Sequence, residues 1–173
     1  MEIKLEIKTS PSGKKWTDLP INNNEIFNRN WEEMSDIKYD CHFYIVIDTS
    51  YKNEFFELPG LPYKFQGKPV YGGNGGFDPS KPNISRMLNH PKSRLDKYWE
   101  ENKENWVAIA VGHGMTKAEA EAYEALFLHE NRDLLTKRGE EWNMIGLINI
   151  REEKSNYENK TKKLIKQEIW KSR

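Results

Sequence analysis

The chain has 173 residues, a formal net charge of zero, 31% charged residues and a mean hydropathy of -0.90. That length favours one core over two domains, and 12% aromatic residues, with 6 Trp and 8 Tyr, set it apart from a disordered polyampholyte. The single cysteine, Cys41, excludes an internal disulfide, and no run approaches the roughly 18 apolar residues of a membrane span, so a cytoplasmic protein with no membrane partner is expected.

The first stretch, Glu2-Ile3-Lys4-Leu5-Glu6-Ile7-Lys8, alternates polar and apolar residues with the period of a half-buried strand, and Ser10-Pro11-Ser12-Gly13 closes it as a turn. Residues 16–36 show no sustained period and read as irregular connection with a short helix around 25–34. Cys41-His42-Phe43-Tyr44-Ile45-Val46-Ile47-Asp48 is dense in β-branched and aromatic residues, as a central strand is. Residues 51–66 carry Pro59, Gly60 and Pro62 among aromatics and predict an ordered loop.

Lys68-Pro69-Val70-Tyr71 predicts a short strand that runs into Gly72-Gly73-Asn74-Gly75-Gly76. Asn83 to His90, between prolines, has room for about two helical turns, and residues 95–104 predict an amphipathic helix. Asn105 to Val111 is a further apolar strand, closed by Gly112-His113-Gly114. Thr116-Lys117-Ala118-Glu119 has the capping-box pattern and opens a helix through Leu128 or beyond. Residues 142–150 form a last apolar stretch. From Lys154 onward seven basic residues face two acidic ones, a tail of about +5, which suits DNA even though the neutral whole does not suit a simple polyanion binder.

Four positions could carry chemistry. The glycine run frees the backbone for close approach to a ligand, but it matches neither the P-loop nor GxGxxG and taken alone reads as a flexible hairpin turn. Glu124 lies among Ala122, Tyr123, Ala125, Leu126, Phe127 and Leu128; a carboxylate there is costly unless paired or bound to a metal, or else it reaches water at the helix rim. Arg86 and His90, spaced i and i+4, would place a guanidinium beside an imidazole, a pair suited to phosphate. His42, His113 and His129 show no metal spacing, no GxSxG elbow occurs, and Cys41 in its strand reads as a core residue.

Tyrosine on a central strand, tyrosine on a second strand entering glycines, arginine on a short helix and glutamate on a later helix follow one another in an order that resembles the GIY-YIG nuclease superfamily. Phe43-Tyr44-Ile45 stands at the GIY element, Val70-Tyr71-Gly72-Gly73 at YIG, and the helix from Thr116 ends its motif on Glu124. Leu147-Ile148-Asn149 resembles the closing asparagine, with Asn143 as a rival for that place. The stretch from Tyr44 to Tyr71 is longer than the motif's short spacing and implies an inserted loop.

The resemblance implies an α+β fold, a small antiparallel three-stranded sheet flanked by helices, with residues 1–40 as an N-terminal arm, 41–150 as the nuclease-like core and 151–173 as a basic C-terminal helix. It implies a metal-dependent DNA endonuclease with catalytic residues Tyr44, Tyr71, Arg86, His90, Glu124 and Asn149. Glu124 would hold Mg²⁺ or Mn²⁺, Arg86 would neutralise charge developing on the phosphate, and a tyrosine or His90 would help deprotonate the attacking water. Double-stranded DNA is the expected partner and restriction at a short site, by a homodimer, the expected use. The alternative is a catalytically inactive nucleic-acid-binding or protein-interaction module on the same fold.

Overall fold

The aromatic and β-branched run from Cys41 to Asp48 becomes an interior strand of the sheet. A computed structural model describes residues 5–19, 27, 41–61, 63–76 and 93–150. Strands β1 (Lys8–Thr9), β2 (Lys15–Leu19), β3 (Cys41–Asp48), β6 (Lys68–Gly76) and β7 (Trp106–Met115) form one sheet in the order β1-β2-β7-β3-β6. Strand β3 pairs antiparallel with β6 on one side and with β7 on the other.

This sheet corrects the expected small three-stranded antiparallel one: among the described residues it has five strands and is mixed, because β2 adds parallel to β7 and β1 adds antiparallel to β2. Lys-Trp-Thr-Asp-Leu was hidden among irregular residues because its alternation is short and one inward position is Thr17, whose hydroxyl is satisfied by the Glu6 carbonyl at 2.5 Å. In the opening alternating stretch, Leu5, Glu6 and Ile7 are not in a strand and only Lys8 joins β1.

Both faces of β3 are covered, which explains its near-continuous apolar sequence. Phe43, Ile45 and Ile47 belong to one core cluster, and Tyr44 and Val46 to another. The first face meets helix α2 (Lys117–Glu130) through Tyr123 and Phe127, whose rings lie 4.7 and 5.5 Å from Phe43. The second meets helix α1 (Arg94–Glu101) through Leu95 and Trp99, together with Trp106 and Trp142. Burying each such side chain contributes about 1.5–3 kcal/mol.

Both helices start on side-chain caps. Ser93 Oγ accepts from the Asp96 N–H at 3.1 Å. Thr116 and Glu119 form the reciprocal box the sequence predicts, at 3.0 and 2.9 Å. Each box bond satisfies an amide that the first turn would otherwise leave bare.

Two glycine clusters predicted to end strands lie inside them, since β6 runs through Gly72 to Gly76 and β7 through Gly112 and Gly114. The inserted loop after Tyr44 is also more regular than its prolines suggest. Strands β4 (Phe55–Glu57) and β5 (Lys64–Gln66) pair antiparallel. Leu58, Leu61 and Phe65 are buried in the α2-side core, and the Tyr123 hydroxyl donates to the Pro59 carbonyl at 2.7 Å.

After α2 a 3-10 turn (Arg132–Leu134) leads into β8 (Leu135–Thr136), which pairs parallel with β9 (Leu147–Ile150). The helix expected around Asn83, the 25–34 helix apart from Phe27, and the basic C-terminal tail lie outside the described residues. Among the described residues no helix is long and apolar enough to cross a membrane.

Candidate active site

Among the described residues strand β6 is the edge of the sheet, and three of its consecutive residues gather the side chains that the sequence singled out. A Cβ on Gly72 would lie 2.6 Å from the Phe127 ring, and one on Gly73 would lie 2.5 Å from the Tyr44 hydroxyl. Successive strand residues point to opposite faces, so the pair of glycines lets α2 press on β6 from one side and Tyr44 from the other. The glycine run here serves close approach rather than a turn.

Tyr44 and Tyr71 come together as the sequence order suggests. Their ring centroids are 6.1 Å apart with an interplanar angle of 29°, a stacked arrangement. Their environments differ. Tyr44 is 1% exposed, packed in the α1-side core with its hydroxyl against Gly73, whereas Tyr71 is half-buried at the rim of the same cluster.

On the α2 side, Glu124 is half-buried and its Oε2 accepts a hydrogen bond from Asn74 Nδ2. At the outer side of the strand, Asn149 is buried and makes two bonds to one residue: the Gly72 N–H donates to Asn149 Oδ1 at 3.0 Å, and Asn149 Nδ2 donates to the Gly72 carbonyl at 2.9 Å. Asn149, Tyr44 and Glu124 thus meet β6 at Gly72, Gly73 and Asn74 in turn.

Of the two asparagines that competed for the closing position, Asn149 reaches the site. Asn143 is exposed and turned to its own loop, where its Oδ1 accepts from the Ile145 and Gly146 amides at 3.1 and 3.4 Å. Arg86 and His90 lie outside the described residues.

Sequence reasoning missed Asn74. The available signal was that it is the one side chain in Gly-Gly-Asn-Gly-Gly, and that it shares strand parity with Gly72. His42 was also assigned no role; it is fully buried on β3 with its ring 6.0 Å from that of Tyr44.

The donor chemistry of the site is oxygen, from the Glu124 carboxylate. Among the described residues no group of three or more His, Cys, Asp and Glu is gathered. One carboxylate, with the remaining positions left to water and substrate phosphate, is how Mg²⁺ is commonly held, and the residues present fit such an ion. No protein-family model, curated protein or solved structure matches the chain.

Proposed function

We propose that the protein is a metal-dependent endonuclease that hydrolyses phosphodiester bonds in double-stranded DNA. The observation that carries the reading is that one strand, β6, is met by Asn149 at Gly72, Tyr44 at Gly73 and Glu124 at Asn74, with the Tyr44–Tyr71 stack on its α1 face and Glu124 on its α2 face. These side chains come from β3, β6, α2 and β9, so nothing local in the sequence requires them to converge on one strand.

Glu124 would hold Mg²⁺ or Mn²⁺, which when bound supplies Lewis-acid stabilisation of charge on the scissile phosphate. Tyr71, the more exposed of the two phenols, is assigned to the attacking water as the resemblance implies, from the face of β6 opposite to Glu124. Tyr44 is the positioning residue behind it, since its ring supports Tyr71 and its hydroxyl is buried against Gly73. Arg86 is assigned to the phosphate oxygens and His90 to the water's proton, as the resemblance implies. Water oxygen bonds to phosphorus as the bond to the 3′ oxygen breaks, leaving 5′-phosphate and 3′-hydroxyl ends. Use as a restriction enzyme, by a cytoplasmic homodimer that cuts both strands, follows from the same reading.

Plasmid nicking with Mg²⁺ tests this. Wild type is expected to cut, and Glu124→Ala to lose at least about 100-fold in rate, the scale of removing one electrostatic stabiliser. Undiminished cutting by Glu124→Ala would overturn the assignment. The burial of Tyr44 favours one second reading, a module that keeps the fold and binds DNA without cutting it. Salt-sensitive retention of DNA with no nicking under any divalent cation would select it.

A further inference from the structure

We propose that Asn74 is a positioning residue that aims the Glu124 carboxylate at the metal; the inference rests on the nuclease reading above. The backbone that carries Asn74 is held from three sides. Asn149 clamps Gly72 on the outer side of β6, Tyr44 fills the Cβ place of Gly73, and Asn74 itself is paired in register with Phe43 of β3. Its side chain therefore leaves the strand from a fixed point, toward the α2 face that Gly72 also meets through Phe127.

From there Nδ2 donates to Oε2 of Glu124. An ionised carboxylate only accepts, so the amide nitrogen is the end that faces it. A glutamate has several rotatable bonds, and an outer partner that selects one direction spares the metal that ordering cost. The amide is neutral, so Asn74 orients Glu124 without contributing a charge of its own. Lysine in the same place would orient and partly neutralise it.

The experiment is Mn²⁺ binding to the full-length protein without DNA, by titration calorimetry, run beside thermal unfolding and the Mg²⁺ dependence of plasmid nicking. Asn74→Leu keeps size and removes the donor, Asn74→Gln restores an amide, and Glu124→Ala removes the ligand. Asn74→Leu is expected to bind Mn²⁺ about 10-fold or more weakly, the usual scale for losing an outer partner, and to need proportionately more Mg²⁺ for half-maximal nicking. Its melting temperature should match that of Asn74→Gln, which should recover part of the affinity. A merely structural asparagine would lower the melting temperature and leave the affinity of the folded protein alone. Wild-type affinity in Asn74→Leu beside lost affinity in Glu124→Ala overturns the role of Asn74 while the nuclease reading stands. A wild type that binds no Mn²⁺ and cuts no DNA overturns both.

Discussion

Gly73 has a phenol oxygen where its side chain would be, and Gly72 an aromatic ring. Alanine at position 73 must push Tyr44 away from a place where it is 1% exposed and stacked on Tyr71. Overpacking of that kind costs about 1–3 kcal/mol, and the displaced ring would carry Tyr71 with it. Gly73→Ala is therefore expected to lower stability in urea unfolding by that amount and to slow nicking. Wild-type stability would show that Tyr44 has another place to go. Strand and helix patterns fix where Tyr44, Tyr71 and Glu124 sit along the chain, and their order, which resembles the nuclease motifs, is what singled out the two tyrosines. Asn74 could not, because its partner is Glu124 on another element and such pairing has no period to read. The glycines were misread for a related reason: a missing side chain signals either backbone freedom or a close neighbour, and only the neighbour tells which.

The elements themselves divide along the same line. Those whose sequence satisfies its own ends or faces were legible, as with α2 and its capping box, α1 behind Ser93, and β3 with two apolar faces. Strand β2 and the ends of β6 and β7 exist because a neighbour supplies the ladder, and a few polar or glycine residues do not announce it. The inserted hairpin of β4 and β5 is a further case, tied to the core by Leu58, Leu61 and Phe65 and to α2 by the Tyr123 hydroxyl on the Pro59 carbonyl. Tyr123 directly precedes Glu124, so the insertion is fastened one residue from the candidate ligand. Tyr123→Phe should cost about 1 kcal/mol, the net worth of one such bond. It should raise amide exchange in the hairpin before the rest of the sheet opens. Uniform exchange across the molecule would contradict that local effect.

At the scale of the molecule, the N-terminal strands are joined to the α1 layer as well as to the sheet. Lys14, 3% exposed, meets Asp96 at 2.6 Å and lies 4.9 Å from the centre of the Trp99 ring. On the proposed nuclease reading, the neutral overall charge would leave DNA affinity to local distributions, and the basic tail is the densest of them in the sequence. Replacing Lys160, Lys162 and Lys163 by Gln should flatten the dependence of log affinity on log salt, by roughly 0.9 for each phosphate that is no longer neutralised. An unchanged slope would place the DNA-binding surface elsewhere. Finally, among the described residues β6 ends the sheet, and a strand edge with glycines for side chains offers another chain a flat template to add to. The pair of hydrogen bonds from Asn149 occupies the outward N–H and carbonyl of Gly72 at the middle of that template. One amide would thus stand in the way of self-templated stacking. Asn149→Ala should consequently turn a well-behaved solution into one whose light scattering climbs with protein concentration and time.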